Sequence, residues 1–225
     1  MSAPSGIVFL LDVDNTLLDN DRFAADLSVR LESAFGLIQR DRYWDLFQTL
    51  REELGRADYL ATLQAFRTGL DDHPELLRMS EYLLEYPFAQ LRYPFALDAI
   101  RHLSTLGLPI VLSDGDIVFQ PRKVQRSGIW DAVEGRVLIT LHKERSLDDV
   151  QFRFPAARYV MVDDKPNLLA DMKLRLKEKI TTVFVHQGHY AQAADMDSIA
   201  PRPDRVIERI GDLREHSSAD FLEDA

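Results

Sequence analysis

The sequence predicts an α/β domain with a mainly parallel sheet, interrupted by an all-helical insertion. Three observations point there. From Pro94 onward, short apolar runs alternate with stretches of helical periodicity, the pattern of helices packed on a parallel sheet. Ahead of them, the isolated apolar run Ile7–Leu11 is followed by helical patterns alone, from about Asp19 to Tyr93. Polar residues also cluster at the C-terminal ends of the apolar runs, the edge at which open parallel sheets bind ligands.

Taken in order, Met1 to Gly6 reads as a loose lead-in. Ile7-Val-Phe-Leu-Leu is a buried strand, apolar throughout, that runs into Asp12-Val-Asp14-Asn-Thr16. Phe23, Leu27, Leu31 and Phe35 recur at helical spacing between the capping candidates Asp19 and Asn20 and the stop at Gly36. Tyr43, Phe47, Leu50 and Leu54 form a second stripe, ended by Gly55. A third helix is expected from Asp58 to Leu70, and a fourth after Pro74, which suits a first helical turn. The aromatic side chains of these stripes, with Trp44 and Trp130, read as packing residues.

A helix through Leu97 and Leu106 ends at Gly107, and Pro109–Ser113 is a strand leading to Asp114 and Asp116. Arg122 to Ser127 is helical. Arg136–Leu141 is a strand ahead of His142-Lys143-Glu144. A short helix spans Leu147 to Phe152, and the strand Arg158–Val162 ends in Asp163-Asp164-Lys165. A charged amphipathic helix, Leu168 to Lys179, precedes the strand Thr181–Val185 and then His186-Gln-Gly-His189. Arg205–Ile210 is a candidate last strand, and the acidic tail from Glu215 is expected to fray. The division this implies is a core of residues 1–18 and 94–225 with a helical block of residues 19–93.

Composition narrows the function classes. A chain of 225 residues is long enough for a large core, and its net charge of −10 argues against a nucleic-acid partner. No apolar run approaches the ~20 residues of a membrane span. With Cys 0 there is no disulfide and no thiolate chemistry. Without a secretory segment either, the expected location is the cytoplasm.

The polar residues at the strand ends form a chemical inventory. Asp12 can act as a nucleophile, and Asp14, two residues on and on the same side of an extended chain, can carry a proton. Asp163 and Asp164 add hard oxygen ligands of the kind Mg²⁺ prefers. Ser113 offers a hydroxyl to a phosphate oxygen, with the Asp114 N–H beside it. Lys143 supplies a fixed cation; Lys123, Arg145 and Lys165 compete with it for that role. Asp171 reads as a solvated helix residue, and Lys173 to Lys179 as a solvated face. His186 and His189 are spaced for a shared metal only on a helix, and Gly188 argues for a loop.

This combination resembles the haloacid dehalogenase-like superfamily, most of whose members are Mg²⁺-dependent phosphatases. The resemblance rests on an apolar strand followed by Asp12-Val-Asp14-Asn-Thr16, on Ser113 and Lys143 after later strands, and on the acid pair Asp163-Asp164. It spans roughly Ile7 to Gln187. It implies a Rossmann-like core and hydrolysis of a small-molecule phosphomonoester through an aspartyl-phosphate on Asp12, with Asp14 as general acid and base. It also implies Mg²⁺ held by the Asp12 carboxylate, the Asp14 carbonyl and the acids Asp163 and Asp164. The helical block resembles the cap by which such enzymes choose substrates. The adjacent acids Asp163 and Asp164 lack the common Gly-Asp opening, which leaves open which is the main ligand. Relatives that cleave carbon–halogen bonds lack the second aspartate, so Asp14 favours phosphoryl chemistry. A phosphomutase, a dehalogenase and a non-catalytic phosphate-binding regulator on the same fold are the alternatives.

Overall fold

The computed structural model describes residues 5–222. A six-stranded sheet forms its centre, in the spatial order β3-β2-β1-β4-β5-β6. The strands are β1 (Ser5–Leu11), β2 (Leu108–Asp114), β3 (Val137–Thr140), β4 (Ala156–Asp163), β5 (Ile180–Val185) and β6 (Arg205–Ile207). Every neighbouring pair is parallel. The chain starts at the middle, builds outward through β2 and β3, then returns to the other side of β1 with β4. This is the Rossmann-like order, and its reversal lies between β1 and β4.

Strand β1 is apolar at every position because both of its faces are covered. Ile7, Phe9 and Leu11 pack into one core layer, and Val8 and Leu10 into the other. The first layer also holds the helices α1 (Asn20–Phe35), α2 (Leu37–Leu54), α3 (Tyr59–Phe66) and α4 (Glu75–Glu85), all inserted between β1 and β2. α5 (Ala96–Leu106), α6 (Phe119–Arg126) and α7 (Ile129–Ala132) join them. The second layer is covered by α8 (Leu147–Arg153), α9 (Pro166–Leu176) and α10 (Gly188–Ala193).

The inserted helices start and stop where side-chain chemistry requires. Asp19 caps α1 by accepting from Arg22 N at 2.9 Å, and Asp58 caps α3 through Ala61 N at 2.9 Å. Gly36 and Gly55 end α1 and α2 with φ of 82° and 69°. The aromatic stripes are core, as expected. Phe23 is fully buried and makes ring contacts with Tyr59, Tyr86, Phe88 and Phe119 at 5.0–5.7 Å. Phe119 lies on α6, so this cluster joins the inserted helices to the sheet. Removing a buried ring of this kind costs about 3–5 kcal/mol.

Four expectations are corrected. Gly6 lies within β1 rather than in a lead-in, while Met1–Pro4 fall outside the described residues. α3 is shorter than expected because the chain turns at Gly69, with φ of 83°. Gly188 opens a helix instead of holding a loop. The acidic tail is ordered through α11 (Ser218–Leu222): Phe221 is buried edge-on against Phe9 at 5.2 Å, and its carbonyl accepts from Thr181 Oγ1 at 2.7 Å. One large apolar side chain docked on β1 holds a segment whose composition reads as solvated. Residues 223–225 fall outside the described residues. No described helix is long and apolar enough to cross a membrane.

Candidate active site

The register of β1 against β4 pairs Leu11 with Val162, which places Asp12 beside Asp163 at the C-terminal edge where the strand order reverses. Asp12 N donates to Val162 O at 3.1 Å, so the backbone fixes this neighbourhood. On the other side, β2 brings Ser113 within 3.5 Å of Asp12 Oδ1. Lys143 follows β3 in a tight turn, and its Nζ sits 2.5 Å from both Asp12 Oδ1 and Asp163 Oδ2. All of these side chains are buried.

Among the four candidate cations, then, Lys143 is the one in contact with Asp12. Burial alone would lower its pKa, but Asp12, Asp163 and Asp114 outweigh that and hold it above its ordinary value. Arg145 points to solvent beside Glu144. Lys165 is half-buried, and although desolvation opposes its charge, Asp12, Asp163 and Asp164 keep its pKa raised. Lys123 serves the other carboxylate. Its Nζ lies 2.7 Å from Asp14 Oδ1 and 3.1 Å from Asn20 Oδ1, within cation–π range of Phe119 at 5.0 Å. Gln120 Nε2 reaches Asp14 Oδ2 at 3.3 Å and Ser113 Oγ at 3.0 Å. Asp14 therefore points away from the Asp12 cluster, onto the wall of a cavity of about 390 Å³ that also exposes Asn20, Trp44, Arg51, Tyr59 and Tyr190.

No family model and no curated protein matches this chain. Solved structures do. A protein of Burkholderia xenovorans LB400, assigned to the haloacid dehalogenase-like hydrolases, is 52% identical, with a TM-score of 0.90 over 96% of this chain and 99% of that one. The chain belongs to the haloacid dehalogenase-like hydrolases. Two more distant structures share the fold. The L-2-haloacid dehalogenase of Xanthobacter autotrophicus is 20% identical, with a TM-score of 0.57 over 92% of this chain and 96% of that one. The magnesium-bound HAD-hydrolase YfnB of Bacillus subtilis is 17% identical, with a TM-score of 0.63 over 93% of this chain and 97% of that one.

The haloacid dehalogenase-like site has an acid cluster that fits a divalent cation. Oxygens of Asp12, Asp163 and Asp164 lie within 4.8 Å of one another. Asp12 Oδ2 and both Asp164 oxygens are buried without a hydrogen-bond partner, which is costly unless a ligand satisfies them. Burial, then repulsion from Asp163, pushes Asp164 up to about 9. Asp163 is also raised, mainly by burial, with Lys143 opposing. Hard oxygen donors with no nitrogen or sulfur among them suit Mg²⁺. The Asp14 carboxylate is outside this cluster.

The structure uses the remaining candidates differently. The Asp114 carboxylate accepts from Lys143 N at 2.7 Å and Thr140 Oγ1 at 2.8 Å, tying the lysine turn to β2 and β3. Asp116 accepts from Val118 N and Phe119 N, a turn-former as expected. Asp171 is exposed on α9. The two histidines share no metal geometry: His186 faces Glu208 at 3.4 Å, and His189 pairs with Asp21 at 2.5 Å. Sequence reasoning missed Gln120 altogether, and it missed that Lys123 belongs to Asp14. Both lie on the first helix after Ser113, which is the only signal the sequence carried for them.

Proposed function

We propose that the chain is a phosphatase acting on a small-molecule phosphomonoester, working with Mg²⁺ in the cytoplasm. The observation that supports this most is the second carboxylate, Asp14, held on the cavity wall by Lys123 and Gln120. Carbon–halogen cleavage has no use for it. Transfer to and from a phosphoryl group needs a proton given and later taken.

In this reading an Asp12 carboxylate oxygen attacks phosphorus in line with the leaving oxygen. The phosphorus–oxygen bond to the alcohol breaks, and Asp14 protonates the departing oxygen. Water then attacks the phosphorus of the aspartyl-phosphate, Asp14 takes its proton, and phosphate and the Asp12 carboxylate are released. Lys143 holds the nucleophile and neutralises charge gathering on the transferred group, and Ser113 donates to one of its oxygens. Magnesium, held by Asp12, Asp163 and Asp164 with the Asp14 carbonyl, would supply further charge neutralisation and orient the phosphoryl group. Helices α1 to α4 act as the cap.

The test is phosphate release from a panel of phosphomonoesters, with Mg²⁺ and with chelator, by wild type and Asp12→Asn. Metal-dependent turnover abolished in Asp12→Asn is expected. Halide release from a 2-haloacid, or an isomerised sugar phosphate without free phosphate, would replace this reading with dehalogenation or mutase chemistry.

A further inference from the structure

Direct pairing around the cavity is uneven. Its acids are each engaged: Asp14 with Lys123 at 2.7 Å, Asp21 with His189 at 2.5 Å, Glu144 with Arg145 at 3.4 Å, and Asp114 with the Lys143 N–H and Thr140. Its cations are less fully paired, although Asp12, Asp163 and Asp164 favour the charge on Lys165 without touching it. Arg56 shares one guanidinium nitrogen with Asp58 at 3.2 Å, and its Nε is buried without a partner. Among the described residues, Arg51 and Lys165 have no carboxylate within 4.0 Å. Both instead approach one aromatic ring. Arg51, at the end of α2, lies 5.2 Å from the Tyr190 ring centroid and also donates to the Tyr190 hydroxyl. Lys165, at the start of α9, lies 5.0 Å from the same centroid. Two cations drawn onto one ring repel each other, and the ring's quadrupole returns only part of that cost. An oxyanion shared between them reverses the sign of the arrangement.

We infer that Arg51, Lys165 and Tyr190 form a subsite for a second oxyanion on the substrate, distinct from the phosphoryl group that is transferred. The substrate class is a compact phosphomonoester carrying a further carboxylate or phosphate. This rests on the phosphatase reading for the identity of the reacting end only. Arg51 supplies the planar fork that matches an oxyanion, and Lys165 supplies a point charge. Arg51 belongs to the inserted helices and Lys165 to the sheet side, so a bound anion would bridge the two and draw them together over Asp12 and Asp14. A cavity of about 390 Å³ stands at the small end of ligand sites, which run from ~300 to ~1,000 Å³. The body between the two anions is accordingly a few carbons long.

The test uses three phosphonates that cannot be hydrolysed: propylphosphonate, 3-phosphonopropionate and propane-1,3-bisphosphonate. Each is titrated calorimetrically into the Mg²⁺-loaded protein. A doubly anionic probe should bind about ten- to a hundredfold tighter than propylphosphonate, the usual effect of a charge-assisted hydrogen-bonded contact. Whichever of the two it is distinguishes carboxylate from phosphate. Arg51→Met should bring that ratio to within about threefold, and Arg51→Lys should restore part of it. Equal binding of all three probes by the wild type overturns the subsite, as does a ratio that survives both Arg51→Met and Lys165→Met. Absence of any binding overturns the subsite and the phosphatase reading together. A clear preference for a doubly anionic probe, with no phosphate released from any ester, supports the subsite and sinks the phosphatase reading alone.

Discussion

Replacing Lys143 with Met tests the electrostatic construction of the site directly. The substitution keeps most of the volume and removes the charge. Lys143 is 1% exposed, and its ammonium lies 2.5 Å from Asp12 and from Asp163, themselves 3% and 0% exposed in their side chains. Without it, several carboxylates share a space that water does not reach. Removing one partner of a buried ion pair costs about 3–5 kcal/mol. For a chain of this size that lowers the melting temperature by on the order of 10 °C. Part of the penalty is relieved by proton uptake on Asp163 and Asp164, whose pKa values are raised even with the lysine present. A divalent cation should relieve it too, since it replaces the missing charge. The assay is urea unfolding of wild type and Lys143→Met, in chelator and in Mg²⁺. The variant should be the less stable by several kcal/mol in chelator, and Mg²⁺ should narrow the gap. A variant within about 0.5 kcal/mol of wild type in chelator, the range of an ordinary surface substitution, would refute the reasoning.

Three other outcomes are expected. In metal-free protein, Asp164 is held near 9 when folded and near ~3.9 when unfolded. The folded state then keeps a proton that the unfolded chain gives up. Stability is present below the unfolded value and declines as pH rises towards 9, by at most about 1.4 kcal/mol per pH unit for the one group. The gain in melting temperature on adding Mg²⁺ should therefore grow across that window, and a gain that shrinks with pH would contradict it. Gly188→Ala places a Cβ 2.5 Å from Asn15 at a φ of 75°, and Asn15 caps α1 through Asn20 N and Asp21 N. Denaturant unfolding should show a loss of more than ~1 kcal/mol. Lys123→Met should lower kcat about ten- to a hundredfold with a smaller change in KM, and steady-state kinetics on the best ester will show whether the loss lies there.

Much of this site was legible because chain order and strand register are coupled. Asp12 follows an apolar run that only a doubly covered strand explains, and the acids after β4 must then face it wherever β4 pairs with β1. Lys143 could be chosen from four candidates because it follows a strand at the same edge. What could not be read depends on docking between distant segments. The pairing of Lys123 with Asp14 spans 109 positions and exists because α6 packs against the aromatic cluster around Phe23. Gln120 reaches the same carboxylate only once that helix is in place. The helical start at Gly188 follows from the close approach of Asn15, 173 positions earlier, and no local pattern announces it. Phe221 is one apolar residue in an acidic tail, too little for periodicity to register and enough, against Phe9, to fix the segment.

The two lysines also separate the two carboxylates by environment, and that separation has a consequence for function. Asp12 and Lys143 are sealed, at 3% and 1% exposed, so their pairing is fixed and its removal exposes nothing to water. Lys123 is 2% exposed, yet its partner Asp14 keeps 27% of its side chain open to the cavity. A carboxylate that retains contact with solvent can be rehydrated when its cation is lost, so Lys123→Met should cost less stability than Lys143→Met and still impair turnover. The same openness suits the proton-carrying role proposed for Asp14, in which it meets the leaving oxygen and then the attacking water. Lys123 also donates to Asn20, the first residue of α1. The buried ammonium therefore ties the proposed acid and base to the start of the cap, and any shift of α1 over the cavity is felt at Asp14. Asn20 and Arg51 line the same cavity, so substrate that draws Arg51 towards Lys165 would act at the same end of the inserted helices. If the proposed subsite holds, its occupancy would bear on the position of Asp14 through α1 and α2, which pack against each other.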